Sequence, residues 1–197
     1  NFMNIHEALD WRYAVREFSP EKLDAHTVET LVDAARKSAS SYGLQPYKIL
    51  IIGNKSVRKD LLAYSFGQQK ALDCSHLIVF AAQTDIGDHT VDRYVAQLVK
   101  TRGVPADDIS SYVKHMKQAL AAKSREEKRV WAHQQAYIAL GTLLTAAASM
   151  RVDSCPMTGF DHQAYDDVLG LAKLGLETTA IVALGYRSAR DRTSGLP

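Results

Sequence analysis

The chain has 197 residues, enough for one domain that buries roughly 70% of its unfolded surface without staples. A formal net charge of +2, with 23% charged residues and no long charged block, excludes the electrostatic footprint of a nucleic-acid or membrane-surface binder. Cys74 and Cys155 are the only cysteines and form no CxxC. They exclude a disulfide framework and read as thiols of a reducing compartment, which points to the cytoplasm. Asn1-Phe2-Met3 lacks a basic region followed by an apolar core, so no secretory signal is read, and Met3 reads as the natural start.

Taken in chain order, the first predicted helix is Ile5 to Arg12. A second, Ala25 to Ser38, follows Asp24 and carries Val28, Leu31, Val32 and Ala35 at helical spacing. It breaks into Ser40, Ser41 and Gly43, after which Pro46 launches an Ile-rich strand, Tyr47 to Ile52. Such a turn either holds the polar edge of a ligand or is an ordinary helix-to-strand loop. Further helices are predicted over Ser56 to Leu62, Val91 to Thr101, Ala106 to Lys123, Glu126 to Met150 and Gln163 to Leu169. Strands are predicted over Leu77 to Ala82 and Thr178 to Leu184. The densest charge run, Ser124 to Arg129, reads as a solvated helix start. Helices outnumber strands and no βαβ alternation runs through the chain, so the fold class is α+β, without repeats or a second domain.

The long helix Glu126 to Met150 places Val130, Tyr137, Ile138, Leu144 and Ala148 near one spacing. Gly141, Ala146 and Ala147 offer small surfaces, which suits either a central core helix or one that crosses its twin in a dimer. Its apolar part, Ala136 to Ala148, is shorter than the roughly 20 residues of a membrane span. GxGxxG and GxxxxGK[ST] are both absent. The seven histidines are scattered without HExxH, so no metal site is expected. Ser75-His76 sits at a strand, where neighbours point to opposite faces, and no GxSxG elbow exists, which sets nucleophilic hydrolysis aside.

Five segments, in order, carry a resemblance. RYAVREF (Arg12 to Phe18), SASSYGLQPY (Ser38 to Tyr47), YSFGQQKALDCSHLIVF (Tyr64 to Phe80), WAHQQAYIALGTLLTAAASMRVDSCPMTGF (Trp131 to Phe160) and VALGYRS (Val182 to Ser188) together resemble the nitroreductase family of flavin enzymes. The resemblance implies a nitroreductase-like fold, a mostly antiparallel sheet flanked by helices, in an intertwined homodimer with two FMN sites across the subunit boundary. It implies that Arg12, Tyr13, Ala14 and Arg16, with Gly67, Gln68 and Lys70, hold FMN. Arg12 takes the phosphate, because a guanidinium pairs with it bidentately. Arg16 and Lys70 place positive charge near the flavin. Ser40 and Ser41, from the partner subunit, hydrogen-bond the pyrimidine edge, Gly43 also contacts FMN, and Pro156, Met157, Thr158 and Gly159 form a loop against the other face of the ring. Tyr42, Tyr64 and Phe66 line the open face, where nicotinamide and then acceptor stack. No protein side chain is implied as a catalytic nucleophile or base; flavin N5 is the reactive centre. The implied activity is reduction of nitroaromatics, quinones or similar electron-poor small molecules by NAD(P)H in two successive hydride transfers.

The same resemblance marks departures. Thr158 stands where many relatives carry glutamate, Gly43 and Gly67 where many carry asparagine, and Tyr47 where tryptophan is common. Gln68 is expected to supply the hydrogen bond that an asparagine at position 67 would make. Close relatives follow the equivalent of Leu196-Pro197 with a basic K-x-R segment that grips the phosphate, so either the chain continues past Pro197 or phosphate binding rests on Arg12 and its neighbours; an incomplete or disordered tail is the expectation. A noncatalytic flavin-binding or flavin-storing protein of the same fold is the alternative that these departures leave open.

Overall fold

A computed structural model describes residues 3–196; the readings placed on Asn1, Phe2 and Pro197 lie outside the described residues. Four strands form one antiparallel sheet in the order β1 (Tyr47–Ile52), β2 (His76–Gln83), β4 (Leu176–Gly185), β3 (Asp153–Met157). The central strands β2 and β4 are covered on both faces, which is why both read as nearly unbroken apolar runs. Strand β1 pairs with β2 from Tyr47↔Ala82 to Ile52↔Leu77.

Strand β3 was not expected from sequence. Its residues, DSCPM, include an aspartate and a proline, both depleted in strands. It forms because it is an edge strand, where the missing N–H of Pro156 interrupts no second ladder. The sequence-predicted Pro156–Gly159 loop is thereby corrected: Pro156 and Met157 belong to β3, Met157 is buried, and only Thr158 and Gly159 are loop.

Alternation along the strands splits the core in two. One face, with Ile78, Phe80, Ala180 and Val182, packs against α2 (Ala25–Arg36) and α7 (Arg125–Ser149). The other, with Leu77, Val79, Ile181 and Ala183, packs against α3 (Lys55–Leu62), α4 (Lys70–Asp73) and α8 (His162–Leu169). Helix α1 (Ile5–Trp11) lies on α7; α5 (Asp88–Arg102) and α6 (Ser110–Ala121) enclose a third cluster around Met116 and Trp131.

Local chemistry sets the helix ends. Asn4 and Glu7 form a capping box on α1, Ser124 and Glu127 another on α7, and Asp24 caps α2. The helix predicted without a break from Ala106 to Lys123 is instead a 3-10 turn, Ala106–Ile109, followed by α6. Ile109 at φ −113°, ψ 10° interrupts the regular helix.

The long helix α7 is a core helix on one face and carries exposed apolar residues on the other. Trp131, Gln135, Ala139, Leu143 and Ala147 are buried on the sheet side, whereas Val130, Tyr137 and Ile138 are exposed on the opposite side. Gly141 has open space around it, and Ile5 and Leu9 of α1 are also exposed.

Candidate functional site

Arg12 is the C-cap of α1, its amide bonded to Ala8 O at 3.1 Å. The chain then runs extended beside β3: Ala14 bridges Ser154 in parallel, and the Val15 amide donates to Ser154 O. From the other direction, α4 opens with Lys70. These segments meet at Cys155. Burial pushes its thiol pKa up, opposed by the charges of Lys70, Arg16 and Arg12 acting on the same sulfur.

Among the described residues, none of these three cations takes part in a salt bridge, and Arg12 Nε is buried without a hydrogen-bond partner. Three like charges gathered without a counter-ion, one with an orphaned buried donor, form a site for an anion. The residues therefore fit the phosphate and the electron-rich edge of FMN.

Two loops flank this centre. In the first, Phe66 and Gly67 adopt left-handed backbone at φ 49° and 74°, which turns Phe66 outward to 69% exposure and leaves Tyr64 at 40%. Neither aromatic is core, as the aromatic wall of an open binding face requires. In the second, Thr158 and Gly159 are exposed, and the Thr158 carbonyl lies 3.1 Å from His162 Nε2.

Gln68 joins the two loops, donating from Nε2 to Gly159 O at 2.6 Å and to Ser65 O at 3.0 Å. The Gln68 amide nitrogen is thereby engaged within the chain. The left-handed φ explains the glycine itself. Gly67→Ala is expected to cost about 1 kcal/mol from backbone strain alone, since a Cβ there meets nothing within 4 Å. Gly67→Asn is expected to cost less, because asparagine tolerates that conformation. Equal melting temperatures for Gly67→Ala and wild type would refute the strain argument.

The Ser40–Gly43 turn is built elsewhere. Buried Gln135 accepts from the Ser41 amide at 2.7 Å, Ser40 Oγ accepts from the Gln45 amide at 3.1 Å, and Gly43 has φ 70°. Tyr42, at φ 54°, packs edge-on against Tyr112 and His115 of α6, with Tyr42 Oη 3.2 Å from His115 Nε2. Trp11 borders Arg151, just past Ser149 at the C-terminal end of α7, and Ala14 bridges Ser154. Gln135 lies 14 residues before Ser149, about 21 Å along the helix at 1.5 Å per residue. The chain thus gathers Arg12, Tyr13, Ala14, Arg16, Lys70 and the two loops, but holds Ser40, Ser41, Tyr42 and Gly43 apart from them.

A cavity of about 410 Å³ between α2, β1 and α5 is lined by Arg36, Lys48, Arg93 and neutral side chains. Of the residues read from sequence as flavin or substrate contacts it shares only Gly43, and it is not the site assembled around Cys155. Ser75 and His76 also differ from expectation. Ser75 precedes β2, so strand alternation does not separate the pair, and Ser75 Oγ lies 2.8 Å from His76 Nδ1. The hydroxyl is buried and accepts from the Leu23 amide at 2.8 Å, a structural role. Both cysteines are free and buried. Among the described residues no His, Cys, Asp and Glu cluster could hold a metal, and no helix is long and apolar enough to cross a membrane.

The sequence matches the Nitroreductase family over residues 9–186. It is 33% identical over 207 aligned residues to a "Putative NAD(P)H nitroreductase" of Staphylococcus epidermidis, covering 98% of this chain and 92% of that protein. It is 34% identical to a protein of the same description from Bacillus subtilis, covering 93% and 88%. A putative nitroreductase of Exiguobacterium sibiricum, solved in complex with FMN, superposes with a TM-score of 0.84 at 15% identity, covering 99% of this chain and 94% of that one. A putative NAD(P)H:FMN oxidoreductase of Staphylococcus epidermidis superposes with a TM-score of 0.86 at 17% identity, covering 100% and 93%. The α+β architecture, the ordered motifs and the whole-length identity agree, and the chain belongs to the nitroreductase family.

Proposed function

We propose that the protein is an FMN-dependent oxidoreductase that takes reducing equivalents from NAD(P)H and passes them to nitroaromatics, quinones or similar electron-poor small molecules. The observation that carries this reading is the gathering of Arg12, Arg16 and Lys70 around Cys155, with no ion-pair partner for any of them and no hydrogen-bond partner for the buried Arg12 Nε among the described residues. The description of the curated relatives and the FMN held by a structural neighbour support it. Bound FMN supplies an acceptor and donor of hydride, which no side chain of the chain can supply. Arg12 binds the phosphate, and Arg16 and Lys70 set a positive potential that favours the electron-rich reduced state. Thr158 and Gly159 present backbone to the ring, while Tyr64 and Phe66 border the face on which donor and acceptor alternate.

Ser40, Ser41, Gly43 and Tyr42 complete the site in this reading only if a second copy brings them. The exposed apolar face of Val130, Tyr137 and Ile138, with open Gly141 and the neighbouring Ile5 and Leu9, supplies the surface for that homodimer. Light scattering is expected to give twice the chain mass, and Ile138→Glu with Gly141→Glu is expected to give a monomer that has lost FMN. A monomeric wild type that retains FMN would refute the shared site.

Thr158 favours a second reading, a flavin-binding protein without efficient turnover, because no carboxylate stands at that loop position. The visible spectrum separates the two after adding FMN, desalting, and titrating anaerobically with NADH or NADPH. Bleaching followed by recovery on menadione addition is the expected result. Retained flavin that neither nicotinamide reduces would establish the second reading, and flavin lost on desalting would refute both.

A further inference from the structure

We propose that Asp191, in the C-terminal turn Ser188–Ser194, is the positioning residue of the cation cluster, holding the Tyr13–Glu17 backbone so that Arg12 and Arg16 stay directed at a phosphate-bearing ligand. The inference rests on the flavin reading of that cluster. Asp191 is only 6% exposed, and its two oxygens divide their work. Oδ2 accepts from the Arg16 amide at 3.0 Å, the Glu17 amide at 3.4 Å and the Tyr13 hydroxyl at 3.3 Å. Oδ1 accepts from the Thr193 amide at 3.0 Å and its hydroxyl at 2.7 Å. One side chain thereby ties the end of the chain to three residues of the N-terminal segment.

The selectivity of these contacts is the argument for a role beyond packing. A carboxylate bonded to the amide of Arg16 forms no salt bridge with its guanidinium, nor with Arg12, among the described residues. The acid fixes the backbone and leaves the side-chain charges free. Burial alone would raise its pKa; the donors from Thr193, Arg16 and Glu17 outweigh that and hold it at about 2, so it is ionised wherever the protein is folded near neutrality.

Neighbouring contacts close the same clamp. The Ser188 amide donates to Glu17 O at 2.8 Å and the Ser19 amide to Tyr186 O at 2.8 Å. Arg187 is stacked between Trp11 and Tyr13, 4.3 and 4.6 Å from the ring centroids, and is held by Asp153. Tyr13 is therefore fixed at its ring by Arg187 and at its hydroxyl by Asp191, one residue from Arg12.

The test uses FMN and riboflavin, which share the ring and ribityl chain and differ only in the phosphate. Dissociation constants of both are measured by fluorescence quenching on wild type, Asp191→Asn, Asp191→Ala and, as a control, Arg190→Ala, which removes an exposed ion pair to Glu17. Wild type and Arg190→Ala are expected to prefer FMN strongly. Both Asp191 variants are expected to lose at least tenfold of that preference, with riboflavin affinity changed less than threefold. Equal weakening of both flavins, or of neither, would overturn the positioning role, since general loosening cannot distinguish them. If Asp191→Ala does not fold, the near-isosteric Asp191→Asn decides alone. A wild type that binds FMN no better than riboflavin refutes the flavin reading itself, before any variant is made.

Discussion

Replacing Arg12 and Lys70 together by alanine is expected to weaken FMN binding by at least a hundredfold while leaving the melting temperature of the flavin-free protein unchanged or slightly raised. Hydrogen bonds to charged groups contribute about 1.5 to 3 kcal/mol each, so two give about 3 to 6 kcal/mol. At 1.4 kcal/mol per factor of ten, the lower figure already exceeds two orders of magnitude. The stability half follows from what the two side chains lack. Neither is in a salt bridge among the described residues, and together with Arg16 they act on one buried thiol without a compensating acid. Removing them relieves repulsion, removes the orphaned Arg12 Nε, and strands no acceptor. Fluorescence titration and calorimetry check the two halves separately. An FMN affinity changed less than threefold would remove the cations from the binding reaction. A large loss of thermal stability would show them to be structural.

The sequence was most legible where local signals agree with the global fold. The helix after Asp24, the small-residue turn and the strand from Tyr47 appear within a few residues of their expected bounds, because cap, period and breaker all point one way there. Strand β3 was illegible because DSCPM has poor local strand composition and is held in place by its long-range pairing with β4. The two glycines that replace asparagine have a backbone reason, φ 70° at Gly43 and 74° at Gly67, which no linear pattern displays.

Asp191 was illegible for a related cause. RDRTSG is polar almost throughout, and the only local signal is the spacing of Asp191 and Thr193, suited to a side chain capping its own turn. Its partners at Arg16 and Glu17 are more than 170 residues away in sequence, |i−j| being 175 and 174. The separation of the Ser40–Gly43 turn from the cations was legible only through the resemblance, which assigned Ser40 and Ser41 to the partner subunit. No local pattern displays it; in the structure the Ser41 amide is held by Gln135, well along α7 from the N-terminal segment.

Arg58→Met is expected to destabilise the protein by about 2 to 4 kcal/mol, and Arg58→Ala by more, although neither residue change touches the cation cluster. Arg58 sits on α3 and is 1% exposed. It has no acidic partner among the described residues. Its guanidinium instead donates to the carbonyls of Leu72 and Cys74, and to that of Gly53 at 3.4 Å, with Nη1 3.7 Å from Cys74 Sγ. The carbonyls of Leu72 and Cys74 close the short helix α4, four residues long and too short to be stable by itself. Each buried acceptor left unpaired costs about 1 to 3 kcal/mol, partly offset because a buried charge is removed with the arginine. Methionine keeps the unbranched stem, whereas alanine adds a cavity, which sets the order of the two variants. For a chain of this size, 3 kcal/mol corresponds to a melting temperature lower by roughly 6 to 12 °C. Lys70 begins α4, so the same variants are expected to weaken FMN binding by loosening a residue they do not contact. An Arg58→Met protein that melts within 2 °C of wild type, well below the roughly 6 °C expected, would show that water or rearranged backbone satisfies the three carbonyls as well as the guanidinium does.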